Sequence, residues 1–319
     1  MKGKYEVIVQ NARLQYKFTI ERNITILRGD SATGKTTLID MIAAYQQNGV
    51  SSGVTIHCDK PCVVLTALYW QETLGHIRDS IVFIDEGDPF IKSKNFAKAI
   101  QNTNNYYVIA TRATLPMLPY SVEEVYGIKN TTSSRYQGTK RLYSSFYPLN
   151  KTDLRTISKP DCVIVEDSGS GYEFFRTVCK EHGISCISAN GKSNMYQTII
   201  DADAETILMI ADGAAFGPEL EKVLNLKRIK NLIIYLPESF EWLILKSGMI
   251  QGVSTILDVP HEHIESAEYF SWEQFFTALL QERTNGTYQQ YSKQQLNPVY
   301  LNGTEKSKIL AVMPEIKWK

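Results

Sequence analysis

The apolar positions of the chain fall into two alternating patterns. Short and almost continuous apolar runs predict buried strands at residues 23–27, 80–84 and 105–110, and shorter runs predict strands at 54–58 and 62–66. Residues 5–9 and 15–20 alternate apolar with polar positions, which is typical of a short antiparallel entry to the first buried strand. Apolar positions spaced as on one helix face predict helices at 36–47 and 69–77. Buried strands that alternate with helices indicate an α/β fold with a parallel sheet.

The same alternation restarts beyond a polar, aperiodic stretch at residues 130–138. It predicts four strands and three helices in a second α/β unit: strands at 162–165, 185–188, 206–211 and 231–236, and helices at 172–182, 194–202 and 218–224. Residues 260–319 are mainly helical in pattern, most clearly at 269–283. We place the boundary near residues 148–158. The chain is therefore expected to have two domains, residues 1–150 and residues 158–319, the second with a mainly helical C-terminal extension.

Composition and charge exclude several classes of protein and name no partner. The 34 basic and 34 acidic side chains give a formal net charge of zero, and 43% of the residues are hydrophobic. Such a chain is neither a polycation nor a disordered acidic tail. No apolar run approaches the ~18 residues that span a bilayer, so no membrane partner is expected. The five cysteines are odd in number and follow no signal-like segment, which favours the reducing cytoplasm.

A phosphate-binding motif joins the first buried strand to the first helix. The pattern G-x-x-x-x-G-K-[ST] is matched by Gly29, Asp30, Ser31, Ala32, Thr33, Gly34, Lys35 and Thr36, and Thr37 follows. Glycines let backbone N–H groups close around phosphate oxygens, and the helix N-terminus adds a favourable dipole. Lys35 is expected to reach the β- and γ-phosphates, and the Thr36 hydroxyl to bind Mg²⁺. The predicted cofactors are ATP and Mg²⁺.

Acidic residues follow the apolar strand at 80–84, as in a Walker B motif. Asp85 is expected to hold Mg²⁺ through water, and Glu86 to orient or deprotonate the attacking water. Alone, this pair would equally suit a strand end that caps a turn with Gly87. Thr111 and Arg112 follow the next strand at a position where a polar side chain detects the γ-phosphate. Arg112 would equally suit a surface charge.

These motifs make residues 1–129 resemble the P-loop NTPases that carry a catalytic glutamate after Walker B. The entry strands are similar to those of the ABC/SMC/Rad50 branch. The chain departs from that branch in two ways. It has no Leu-Ser-Gly-Gly-Gln-like signature, which serves head-to-tail ATP-sandwich dimerisation, and the segment between Lys35 and Asp85 is too short for a coiled-coil insertion.

The second domain carries an acid after each of two predicted strands. Glu166 follows the strand at 162–165, and Asp212 follows the strand at 206–211. In a doubly wound sheet both carboxylates would emerge at the same edge, where such sheets bind ligands. An ordinary flavodoxin-like domain would account for both acids almost as well.

This arrangement resembles the Toprim domain of topoisomerases, primases and the overcoming-lysogenization-defect (OLD) nucleases. That resemblance implies that Glu166 and Asp212 are catalytic residues that hold divalent metal, Mg²⁺ or Mn²⁺, for phosphodiester chemistry. The sequence departs from the family's Asp-x-Asp by having Ala214 in place of the second aspartate. A lost carboxylate should weaken metal binding. Three other acids are candidates to replace it: Asp167, Glu238 and Glu241.

Together the two halves are similar in plan to the OLD-type ATPase-nucleases associated with defence against phage or plasmids. The resemblance implies an ATP-hydrolysing enzyme that couples its nucleotide state to a Toprim-like domain acting on nucleic acid. We also expect a homo-oligomer or a complex with another protein. A first alternative is an ATP-gated module that binds nucleic acid or a protein without cutting. A second is a phosphotransferase that moves the γ-phosphate to a small acceptor.

Overall fold

The computed structural model describes residues 1–29, 34–131, 142–150 and 156–318. The chain divides into two compact units. The first comprises Met1–Lys151 together with Pro260–Ser271, and the second comprises Thr152–Val259 together with Trp272–Lys319. Each unit has its own sheet.

Residues 260–271 pack with the first unit, although the sequence analysis assigned them to the second domain. Hydrogen bonds explain the difference. The Asn23 amide donates to the backbone oxygen of Tyr269 at 2.8 Å, and the Gly3 N–H donates to the His261 oxygen at 2.7 Å. Because these bonds join residues more than 240 positions apart, no local pattern indicates them.

Nine strands and three α-helices form the described part of the first unit. They are β1 Tyr5–Gln10, β2 Leu14–Ile20, β3 Ile24–Leu27, α1 Lys35–Asn48, β4 Thr55–His57, β5 Cys62–Val64, α2 Trp70–His76, β6 Ile81–Ile84, α3 Lys94–Ile100, β7 Tyr106–Ala110, β8 Val125–Thr131 and β9 Leu142–Pro148. The strands make one sheet in the order β4-β1-β2-β9-β8-β3-β7-β6-β5.

The sheet is mixed rather than wholly parallel. Strands β3, β7, β6 and β5 run parallel to one another, as the apolar runs predict, and β8 runs parallel to β3. The β1–β2 pair is antiparallel, which confirms the predicted entry, but β1–β4 and β8–β9 are antiparallel too. The sequence analysis did not predict these two further antiparallel pairs.

The sheet curls around α1. Its two edge strands, β4 and β5, are joined by residues 58–61 alone. Leu38 and Ile42 of α1 are fully buried in one core with Val7 and Val9 of β1 and with Phe83 of β6. The opposite face of β3, β7 and β6 packs on α2 and α3. Because both faces of these central strands are covered, their sequences are continuously apolar.

Strands β8 and β9 flank the polar stretch at residues 130–138, and the sequence analysis predicted neither of them. Each carries polar residues at several positions, so neither resembles a buried strand. Ser144 shows why they still pair: its hydroxyl donates to the Asn130 side chain at 2.9 Å, across the antiparallel register. Pairing with β2 and β3 on either side keeps this hairpin within the sheet.

The second unit has a smaller sheet whose four described strands are all parallel. Its elements are β10 Thr156–Ile157, β11 Cys162–Val165, α4 Ser170–Glu181, β12 Ser185–Ser188, α5 Lys192–Asp201, β13 Thr206–Ile210, α6 Gly217–Leu226, β14 Asn231–Tyr235, α7 Phe240–Lys246, α8 Ser254–Asp258, α9 Trp272–Thr284, α10 Gly303–Leu310 and β15 Glu315–Ile316. The sheet order is β12-β11-β13-β14, and β10 pairs separately with β15. The strand predictions for this unit agree with these bounds to within a residue.

Candidate functional site

The two ends of the predicted phosphate-binding loop lie between β3 and α1. Gly29 and Gly34 both have positive φ, 146° and 91°, which favours glycine at these two positions. The Lys35 side chain is buried and its Nζ donates to the Gly29 oxygen at 2.6 Å. This contact ties the first helical residue back to the end of β3. The predicted binding residues Asp30, Ser31, Ala32 and Thr33 lie outside the described residues.

Tyr16 of β2 contacts the C-terminal end of the loop, and no sequence motif predicts this contact. Its hydroxyl donates to the Gly34 oxygen at 3.0 Å. A Cβ atom on Gly34 would lie 2.8 Å from the same hydroxyl, so a larger residue would push the two apart. Burial raises the pKa of Tyr16, which keeps the hydroxyl protonated and able to donate. Thr36 and Thr37, in the first turn of α1, are exposed.

The strand order brings the other predicted residues of the first unit to the same edge as the loop. In the register, Leu27 of β3 lies beside Ala110 of β7, and Ile109 lies beside Ile84 of β6. The parallel strands β3, β7 and β6 therefore end level with one another. Strands lie ~4.8 Å apart, so the acids after β6 are roughly 10 Å from the end of β3.

Glu86 and Arg112 form an ion pair at this edge. The Arg112 guanidinium donates from Nη2 to Glu86 Oε1 at 3.1 Å. The other oxygen, Glu86 Oε2, is buried and has no hydrogen-bond partner among the described residues. Asp85 Oδ1 accepts the N–H of Glu86 at 2.7 Å, which holds the two acids in one turn. The Thr111 hydroxyl is buried and bonds to the backbone of Ala113, so it serves its own turn.

Aromatic packing holds the acidic turn in place. Trp70, at the start of α2, stacks on Phe90 with ring centroids 5.0 Å apart, and Phe90 meets Phe96 edge-on at 5.3 Å. Asp88, between Glu86 and Phe90, has its pKa raised by burial and, after that, by the charge of Asp85. The sequence analysis did not single out Asp88.

In the second unit the structure brings Glu166 and Asp212 together. Strands β11 and β13 are neighbours with Val165 beside Ile210, and the N–H of Asp212 donates to Glu166 Oε2 at 3.0 Å. Asp212 Oδ1 accepts the N–H of Phe240 at 3.2 Å. Burial raises the pKa of Glu166 to about 7, and the charge of Glu273 adds to this.

Two further carboxylates, Glu241 and Glu273, and the lysine Lys293 act on this pair. Burial raises the pKa of Asp212 well above its usual range, and the charges of Glu273, Glu166 and Glu241 raise it further. Lys293 Nζ donates to Glu273 Oε1 at 2.6 Å and partly offsets those charges. Glu241 was weighed as a replacement metal ligand, whereas Glu273 and Lys293 carry no motif that would have found them.

The other two replacement candidates are used differently. Asp167 accepts the N–H groups of Ser168 and Gly169 on Oδ1 and that of Gly171 on Oδ2. It therefore caps the N-terminus of α4 with its side chain. Ala214 is buried, and its N–H donates to the backbone oxygen of Glu238 at 3.1 Å. The N–H groups of the Gly/Ser-rich turn before α4 are therefore already hydrogen-bonded to the Asp167 side chain.

Comparison of the chain with protein-family models, curated proteins and solved structures finds no match. The described residues contain no group of three or more His, Cys, Asp or Glu side chains placed to hold a metal ion. The metal positions predicted at Thr36, Asp85, Glu166 and Asp212 stay predictions. Across the described ranges, no helix has the length and apolar character that a membrane span needs.

Proposed function

We propose that the first unit binds ATP with Mg²⁺ at the sheet edge formed by β3, β7 and β6, and hydrolyses it. The observation that carries the proposal is the level ending of these three strands, with the Lys35-to-Gly29 bridge at one end and the Asp85–Glu86 turn at the other. Lys35 and Asp85, which are 50 positions apart in the chain, would thereby contact the same nucleotide.

Each of these side chains has a role in that chemistry. The Lys35 ammonium neutralises phosphate charge as it leaves the Gly29 oxygen, and Thr36 with Asp85 would hold the metal. A bound Mg²⁺ would stabilise the charge that develops on the phosphate oxygens. Glu86 accepts the proton of the attacking water. Its oxygen Oε2 has no hydrogen-bond partner among the described residues and is the one available for that proton.

We further propose that nucleotide state in the first unit controls a Toprim-like second unit that acts on nucleic acid. Support comes from the convergence of Glu166 and Asp212 at one sheet edge. The resemblance to OLD-type ATPase-nucleases suggests the substrate class, and defence against phage or plasmids is the setting that it suggests.

One observation favours the alternative of an ATP-gated binding module that does not cut. Lys293 brings a positive charge to the carboxylates of the second unit, where a nuclease would bind metal. A binding module needs no metal there.

Lys35→Ala tests the nucleotide site. Removal of the ammonium should weaken ATP binding at least tenfold, because a charge-assisted contact worth over ~1.4 kcal/mol is lost. Isothermal titration with ATP and Mg²⁺ measures this, and turnover with and without DNA or RNA is read in parallel with polynucleotide integrity. Lys98→Ala, on the exposed face of α3, is the matched control and should bind normally. Equal affinity in the Lys35 and Lys98 variants would contradict the assignment.

A further inference from the structure

Strands β2, β9 and β8 have an outer face, which is opposite to the core around α1. Phe18 and Phe146 mark the core side of these strands, where their rings stack with centroids 4.0 Å apart. Side chains alternate along a strand, so the neighbouring Lys17, Ser145 and Tyr147 lie on the outer face. We call the outer-face residues of the three strands the platform: Gln15, Lys17, Thr19, Gly127, Lys129, Tyr143, Ser145 and Tyr147.

The register places the platform residues in rows across the three strands. Lys17 of β2 lies beside Ser145 of β9, and Ser145 lies beside Lys129 of β8. The two lysines are therefore two strand spacings, roughly 10 Å, apart. Tyr143 and Tyr147 precede and follow this basic row on β9, each by two residues. A groove with a volume of about 560 Å³ is lined in part by platform residues: Gln15, Lys17, Thr19, Tyr143 and Ser145.

Tyr147 is held across the neighbouring strand because a glycine lies opposite it. In the register Tyr147 pairs with Gly127 of β8, and a Cβ atom on Gly127 would lie 2.6 Å from the tyrosine ring. The ring therefore lies over β8, yet Tyr147 remains 36% exposed. Aromatic rings on a sheet surface bind unpaired nucleic-acid bases by stacking, and they accept any base because every base has a π-face.

The charge of the platform suits a polyanion. Lys17 and Lys129 are exposed, and residues 132–141, which join β8 to β9 in the sequence, include three basic residues and no acid. The Lys17 ammonium pairs with Glu6 of β1 at 2.8 Å, and about half of each side chain is exposed. Exposed ion pairs contribute little free energy, so a phosphate group is able to replace the glutamate.

We propose that the platform binds single-stranded nucleic acid, with bases stacked on Tyr143 and Tyr147 and with phosphates at Lys17 and Lys129. The two tyrosines are four residues apart, a span of roughly 14 Å. Single-strand binding folds that combine basic and aromatic side chains contact ~4–16 nucleotides. A duplex does not suit these rings, because its bases already stack on one another. This inference goes beyond the proposed function, which places nucleic acid at the second unit, and it does not depend on ATP binding.

Fluorescence anisotropy of labelled oligonucleotides tests the proposal with the full chain, in EDTA and without nucleotide. Oligothymidine or oligouridine of about 12 nucleotides should bind, and the tighter of the two shows which sugar the platform prefers. A duplex of the same length should bind about fivefold more weakly or worse, since it offers no unpaired base. Binding of neither single strand, or equal binding of the duplex, overturns the proposal.

Variants of the platform separate stacking from charge. Tyr147→Ala should weaken binding of the single strand about fivefold or more, whereas Tyr147→Phe keeps the ring and should bind normally. Tyr288→Ala, at an exposed tyrosine of the second unit, is the matched control. Lys129→Ala should weaken binding and reduce the slope of log affinity against log salt concentration by about 0.7. Wild-type affinity in folded Tyr147→Ala and Lys129→Ala proteins overturns the proposal.

A gain of affinity provides a test that loss of folding does not imitate. Glu6→Gln removes the acid that pairs with Lys17 and should tighten binding about twofold. If Tyr147→Ala does not fold, unchanged affinity in both Glu6→Gln and Lys129→Ala overturns the proposal. ATP titration of the wild type separates this proposal from the ATPase assignment. ATP binding without single-strand binding contradicts the platform alone, and single-strand binding without ATP binding contradicts the ATPase assignment alone.

Discussion

The two carboxylate oxygens of Glu86 have different surroundings. Oε1 is paired with Arg112 at 3.1 Å, and Oε2 is buried without a partner in the described part of the chain. The ion pair is partly exposed, so it contributes at most about 1 kcal/mol and breaks readily. Arg112 is therefore able to release Glu86 when a more highly charged group, such as a γ-phosphate, comes within its reach.

At this residue we predict that Glu86→Gln retains ATP binding and loses hydrolysis. The amide has nearly the same shape but does not accept the proton of the attacking water, and loss of a general base costs ~10²–10⁴ in rate. Phosphate release under saturating ATP measures the rate, and titration with a non-hydrolysable analogue measures binding. Glu72→Gln, at an exposed position of α2, is the control. Hydrolysis at the wild-type rate would mean that Glu86 is a structural turn residue.

At the scale of elements, the contact between α4 and the C-terminal segment at residues 291–296 depends on Gly169. Its missing side chain allows the Lys293 oxygen to approach where a Cβ atom would stand. That oxygen is backbone, so the clash is not relieved by a side-chain rotation. Residues 291–296 and the start of α4 must therefore move apart if Gly169 is replaced by a larger residue.

We therefore predict that Gly169→Ala lowers the free energy of unfolding by ~1–3 kcal/mol, the usual cost of overpacking. Urea denaturation of the full chain measures it. Gly303→Ala is a matched control in the same unit, because a Cβ atom there meets nothing within 4 Å and φ is not positive. That variant should stay within about 0.5 kcal/mol of the wild type. Equal stability of the two variants would show that the close contact between Gly169 and the Lys293 oxygen does not contribute to the stability of the fold.

At the scale of the whole molecule, stability is expected to depend on pH through buried acids. Glu124 is 3% exposed, accepts the Thr25 hydroxyl at 2.8 Å and lies 3.7 Å from the Arg22 guanidinium. Burial raises its pKa from 4.5 to about 7, the charge of Arg22 opposes this, and the charges of Glu21 and Glu123 add to it. The folded state therefore retains a proton that the unfolded state releases.

We predict that the free energy of unfolding falls as the pH rises from about 5 to 7.5. A raised carboxyl pKa stabilises the fold fully below 4.5, and this contribution is lost by the time the pH passes 7. The shift corresponds to roughly 3 kcal/mol at most. Chemical denaturation across this range measures the slope. Glu124→Gln should reduce the slope, leaving the part that comes from the raised pKa values of Glu166 and Asp212, whereas the exposed Glu6→Gln should leave it unchanged. An unchanged slope in Glu124→Gln would exclude Glu124 as its source.

The sequence by itself determined the features that depend on neighbouring residues. The loop from Gly29 to Thr37 can be recognised because its spacing is local, and β6 and β11 are continuously apolar because both faces of such strands are covered. The convergence of Glu166 and Asp212 was also predictable, since parallel strands end at one edge.

Tertiary structure alone decided which distant groups meet. Glu241, Glu273 and Lys293 come from separate elements, and only packing brings their charges to Asp212. The β1–β4 pairing and the position of residues 260–271 were likewise not indicated by the sequence, because they depend on hydrogen bonds between residues far apart in the chain. Local sequence patterns indicate which face of a helix or strand is buried. Which other element packs against that face depends on how whole surfaces fit together in the tertiary structure.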